Sequence, residues 1–192
     1  MTIILDHISK SYDGQKIIDD LNVEIEDGRC YAFVGPEATG KTTALKIFMG
    51  LEQPDEGQVA RMGDYKYPTL HSAYVSQSGQ LNPKKDAIWN VKKVHRWASK
   101  GRAMEELRRF LPEDKMTLPV SELSPVDYKL VEIVRAFFVP ADFIVLDEPF
   151  EGMDAALKEK VLNFIMGIQG SRPILIASRN EEGLDFARKI RM

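Results

Sequence analysis

Cysteine is nearly absent: Cys30 stands alone among 192 residues, so no intramolecular disulfide can staple the chain. It lies in an apolar run and reads as a small buried hydrophobe. Long apolar runs are missing too. No stretch reaches the 18 or more apolar residues of a spanning helix, and residues 1–6 lack the basic start and apolar segment of an export signal. An excess of one charge is also lacking. Lys and Arg total 26 against 29 Asp and Glu, a net charge of -3, which gives no global attraction to nucleic acid. These absences exclude disulfide-rich, membrane-spanning and polyelectrolyte-binding classes. The expected compartment is a reducing cytosol, with no direct membrane insertion.

What is present suits a globular protein with a sizeable core: 44% of residues are hydrophobic and 29% charged. Alternation at Leu21, Val23 and Ile25 and the run Cys30 to Val34 predict two strands. A helix is expected from Thr42 to Met49, stopped by Gly50. Pro54 to Gly57 reads as a turn and Ala73 to Val75 as a short strand. The apolar spacing from Asp86 to Phe110 predicts two amphipathic helices broken near Gly101. Ser124-Pro125 offers an N-cap followed by proline at the first helical position, opening a helix to about Val139. Then come a buried strand at Phe143 to Leu146, a helix from about Ala155 to Ile168, a strand at Ile174 to Ala177 and a last short helix from about Glu181. Short apolar strands alternating with helices predict an α/β sheet covered on both faces. Charge is uneven locally. Lys84 to Arg109, including Arg96, holds nine basic residues against three acidic ones.

Gly35-Pro36-Glu37-Ala38-Thr39-Gly40-Lys41-Thr42 fits G-x-x-x-x-G-K-[ST] between a predicted strand and helix. Backbone N–H groups of such a loop cradle phosphate oxygens, Lys41 adds a cation near the terminal phosphates, and the Thr42 hydroxyl can ligate magnesium. Further on, the strand from Phe143 delivers Asp147 and Glu148 at its carboxyl end, where ligands bind in open α/β sheets. Asp147 is expected to hold magnesium and Glu148 to accept a proton from water attacking the γ-phosphate. No N-K-x-D guanine-reading element is present, which favours an adenine nucleotide.

In order and spacing of these motifs the chain resembles the ATP-binding domain of ABC transporters along nearly its whole length. The resemblance implies a P-loop NTPase core with a mostly parallel sheet, N-terminal antiparallel strands and an inserted helical subdomain. Residues 1–77 and 140–192 would form the nucleotide-binding core, and residues 78–139, approximately, the helical subdomain. It also implies ATP and Mg2+ as cofactors. Tyr12 sits where the family stacks an aromatic on adenine, and the loop set extends to Thr43. Gln77 sits where a glutamine contacts magnesium and senses the membrane partner. Asp154 matches the aspartate of the family's D-loop.

Two positions depart from the family pattern. Its L-S-G-G-Q signature, which meets the nucleotide held by the opposite subunit, stands here as Leu123-Ser124-Pro125-Val126-Asp127. Pro125 has no N–H to donate and Asp127 brings negative charge, so Ser124 is either a remnant phosphate contact or simply a helix cap. Arg179 stands where the family places a histidine on the γ-phosphate, either as a catalytic replacement or as a surface arginine at a strand end. Glu37, in place of the usual asparagine, suits a phosphate site only if it points away.

The function implied is an ATP-hydrolysing subunit, slow or partner-dependent. It would form a homodimer, or a heterodimer with another ABC ATPase subunit, around Mg-ATP and drive a separate transmembrane permease subunit. Attachment to the cytoplasmic face of the membrane would be peripheral, through that partner. The chain stops soon after the last predicted helix, so no C-terminal regulatory domain is expected. A nucleotide sensor with little turnover and a soluble, non-transport ABC ATPase are the alternatives.

Overall fold

The computed structural model describes residues 2–62, 71–95 and 97–192; Arg96, counted in the basic window, lies outside the described residues. Three apolar segments, β3 (Cys30–Val34), β6 (Phe143–Asp147) and β7 (Ile174–Ser178), are buried at every position. Such continuous burial requires cover on both faces. With β5 (Ser72–Val75) and β8 (Arg188–Arg191) they form a five-stranded parallel sheet in the order β5-β6-β7-β3-β8.

Alternation along the strands divides the core. Tyr31, Phe33, Phe143, Val145 and Leu175 pack under α1 (Lys41–Met49) and a three-stranded antiparallel sheet. That sheet has the order β2-β1-β4, from β1 (Thr2–Tyr12), β2 (Gln15–Glu26) and β4 (Glu56–Met62). Ala32, Val34, Ile144, Leu146 and Ile176 face the opposite way, toward α5 (Pro125–Phe138) and α6 (Ala155–Ile168). Between β5 and α5 the chain adds α2 (Ala87–Lys93), α3 (Lys100–Leu107) and the single turn α4 (Glu113–Met116). Cys30 is buried as expected. Its thiol donates to Gln169 Oε1 at 3.3 Å, and burial raises its pKa.

Several expectations need correction. The first of the two expected helices ends at Lys93 and the second starts at Lys100, so Gly101 lies inside α3 and not at the break. Ser99 caps α3 by accepting from Arg102 N at 3.1 Å, which leaves Gly101 in the first turn, where its lack of propensity costs little. Pro54 to Gly57 turns only briefly, since β4 starts at Glu56 and pairs with β1. No helix follows Glu181 among the described residues. Gly183 adopts φ 69°, the Asn180 side chain accepts from Glu182 N at 3.2 Å, and the chain then pairs as β8 along the free edge of β3. Ladder bonds on an open sheet edge outweigh a weak local helical tendency.

Phe143 is 1% exposed and meets the Phe48 ring edge-on, with centroids 5.1 Å apart, which fastens α1 to the sheet. Phe143→Ala is expected to cost about 3–5 kcal/mol in urea unfolding, a large share of a domain's stability.

Candidate functional site

The glycine-rich loop turns from β3 into α1. Ala38 lies at φ 64°, and Gly40 at φ 90°. A Cβ on Gly40 would sit 2.8 Å from Ile18 Cγ1 of β2, so only glycine lets the loop lie this close to the antiparallel sheet. No side chain caps the first-turn N–H groups of α1, and no acidic residue occupies that turn. Lys41, 6% exposed, folds its ammonium back on the loop: it donates to Gly35 O at 2.7 Å and Pro36 O at 2.6 Å, and lies 3.6 Å from Glu148 Oε1.

Asp147 ends β6 in complete burial. Its Oδ2 accepts from the Thr42 hydroxyl at 2.8 Å and from the Tyr74 phenol at 3.3 Å, while Oδ1 has no hydrogen-bond partner among the described residues. Burial, first, and the carboxylate beside it hold the Tyr74 pKa far above its usual range, so the phenol remains a donor. A buried oxygen without a partner is costly. One carboxylate and one hydroxyl are hard oxygen donors, the set that suits magnesium held jointly with phosphates. No cluster of three or more His, Cys, Asp or Glu able to hold a metal by itself occurs among the described residues.

Glu148 follows with its backbone at φ 47° and its side chain 12% exposed. Its Oε2 accepts from Arg179 N at 3.2 Å. Burial raises its pKa, against the opposing pull of Lys41. A partly dehydrated carboxylate of raised basicity is suited to accept a proton. Lys41, Thr42, Thr43, Gln77, Glu148 and Arg179 line one cleft of about 270 Å3 with Tyr12, Glu37, Ala38 and Gly40. Tyr12 is 41% exposed there, and its hydroxyl bonds to Glu52 and lies 3.5 Å from Thr43 Oγ1.

Arg179 also lines an adjoining cleft of about 260 Å3. Its guanidinium lies 3.4 Å from Glu151 and 3.8 Å from Glu37, whose exposed side chain is thereby paired with a cation. Ser124 and Asp154 lie outside the nucleotide-loop cleft. Ser124 caps α5, its hydroxyl accepting from Asp127 N at 3.1 Å and donating to Asp127 Oδ2 at 2.8 Å. Lys115 neutralises Asp127 at 2.6 Å. Asp154 caps α6 by accepting from Leu157 N at 2.8 Å.

The family profile described as "ABC transporter" matches residues 18–151. This chain belongs to the ABC transporter family. The spermidine/putrescine import ATP-binding protein PotA of Spiroplasma citri is 32% identical over 97% of this chain and 57% of its own length. The chain thus spans little more than half of that curated relative. An ABC transporter ATP-binding protein from Pyrococcus furiosus shares the fold at TM-score 0.86 and 23% identity, over 100% of this chain and 97% of that one. So does the dimeric ATP-binding cassette MJ0796 bound to ADP and Pi, at TM-score 0.84 and 22% identity, over 99% and 94%.

Sequence reasoning missed Tyr74, which touches the Asp147 carboxylate, and Glu52, which holds Tyr12. Tyr74 left one faint signal, a hydroxyl in an otherwise apolar strand.

Two outcomes are expected. Because the folded-state pKa of Glu148 is raised, the stability tied to its protonated form is present below the usual glutamate value and is lost as pH rises through the folded one. Glu148→Gln should therefore raise the melting temperature of the nucleotide-free chain at pH 7 more than at pH 4. Ser124→Ala should lower stability by about 1 kcal/mol in chemical denaturation, as loss of an N-cap does.

Proposed function

We propose that the chain is the ATP-binding, ATP-hydrolysing subunit of an ABC transporter. The observation that carries this reading is the Thr42–Asp147 hydrogen bond with its unpartnered buried oxygen, beside a glutamate and a loop lysine. Lys41 exchanges its two loop carbonyls for phosphate oxygens, joined by the loop N–H groups from Glu37 to Thr43. Tyr12 supplies an aromatic face for adenine. Thr42, Asp147 and Gln77 would hold magnesium, which when bound neutralises phosphate charge. Glu148 takes a proton from the water whose oxygen forms the new bond to the γ-phosphorus as the bond to the ADP oxygen breaks. Arg179 leaves Glu151 and Glu37 to meet the developing phosphoryl charge, the place of the family's histidine.

Two such chains, or this chain and another ABC ATPase subunit, would close around the nucleotides, with Ser124 and Asp154 facing the partner subunit; MJ0796 is itself dimeric. Hydrolysis would reset the dimer and so drive a separate transmembrane subunit from the cytoplasmic face. No described helix is long and apolar enough to cross a membrane. Exposed Lys84, Lys85, Lys92 and Lys93 on the lobe suit acidic cytoplasmic loops of that subunit. A second reading, a sensor with little turnover, draws on one observation. The Ser124 hydroxyl is spent on Asp127, as N-cap acceptor and as donor to its carboxylate.

Phosphate release measured against protein concentration separates the readings. The expected result rises faster than linearly and vanishes in Glu148→Gln, while Lys41→Met weakens ATP binding roughly ten- to a hundredfold, as loss of charged hydrogen bonds does. Release from the unmodified chain no higher than from Glu148→Gln, with ATP binding intact, would overturn the hydrolytic assignment in favour of the sensor, and an unchanged rate in Arg179→Ala would remove the arginine's part in it.

A further inference from the structure

The loop that follows β5 carries Gln77, and α5 grips it on both sides. Ahead of it, the Ser76 carbonyl accepts from Lys129 Nζ at 2.7 Å. Behind it, Gln80 N donates to Glu132 Oε1 at 2.6 Å and Leu81 N to the Tyr128 hydroxyl at 2.9 Å. Lys129 and Glu132 pair at 3.3 Å with side chains only 11% and 1% exposed. Between these anchors Gly79 lies at φ 79°, where a Cβ would come within 2.7 Å of the Tyr128 ring. Glycine and tyrosine fit together and fix the path of the turn.

A carboxylate this deep is an expensive way to fill a helix face, and burial holds its pKa above the usual glutamate range. An apolar side chain would pack the lobe as well. What the charged pair adds is direction: bonds of defined geometry to the backbone of one loop. We propose that Tyr128, Lys129 and Glu132 are positioning residues for Gln77. They hold the backbone on both sides of it so that its amide stays in the cleft where magnesium and the terminal phosphate bind. The inference rests on the Mg-ATP reading above and adds that α5 sets the affinity for the metal. Lys41, Tyr12 and the glycine-rich loop set the affinity for the nucleotide without drawing on α5.

The test is calorimetric titration of ATP into the full chain, in EDTA and at stepped magnesium concentrations. In Lys129→Met and Glu132→Ala the magnesium concentration giving half of the full effect should rise about fivefold or more, while ATP affinity in EDTA stays within about twofold. Glu132→Gln, which keeps an oxygen for Gln80 N, should recover most of the loss. Tyr128→Phe keeps the ring against Gly79 and removes one bond, so it should shift in the same direction by less, and it serves if the deeper variants do not fold. Unchanged magnesium dependence in Tyr128→Phe and Lys129→Met, or an equal loss of affinity in EDTA, would overturn the proposal. Failure of the unmodified chain to bind ATP under either condition would overturn the nucleotide reading itself, and this inference with it.

Discussion

At the carboxyl end of β6 a fully buried carboxylate, Asp147, accepts hydrogen bonds from Thr42 and Tyr74 through one oxygen and leaves the other without a partner among the described residues. A half-satisfied buried carboxylate is costly, and the neighbouring elements are arranged to tolerate it. Thr42 reaches it because α1 starts where the glycine-rich loop ends, and Tyr74 reaches it because β5 runs parallel to β6 in register. The loop, two strands and the first turn of a helix are thus held to one point.

Glu148 is the next residue along and inherits the surroundings. Its backbone leaves the strand in a left-handed conformation, which returns the side chain to the shielded neighbourhood of Lys41 and the Arg179 backbone. Dehydration there raises its basicity, and Lys41 limits how far. Adjacent carboxylates therefore differ in surroundings, one fully buried and half-satisfied, the other partly dehydrated and raised in basicity.

The lobe is tied to the same centre through α5. Its amino end is capped by the Ser124 hydroxyl, and from the next turn Tyr128, Lys129 and Glu132 bond to the loop that carries Gln77. Ser124, Pro125 and Asp127 are well suited to starting a helix, and the residues that follow are well suited to holding a loop. Local stability and inter-lobe coupling are met by one helix, with charges satisfied inside the chain.

The glycine-rich loop, the acidic strand end and most helices and strands were legible in the sequence, because they rest on local regularities: fixed glycine spacing, apolar runs and caps next to periodic segments. Helix α6 matched its expected bounds for that reason. The last segment did not, since its strand exists only where β3 offers a free edge, a partner more than 150 residues away. The Arg179 pairings, the Tyr74 contact and the grip of α5 on the Gln77 loop were equally out of reach of sequence alone. Each joins side chains from separate elements, and their geometry comes from how those elements pack. The sequence by itself determined which chemical groups the protein carries and where the chain turns. The tertiary structure decided which of those groups meet, because burial and hydrogen-bond direction act only between surfaces that folding has brought together.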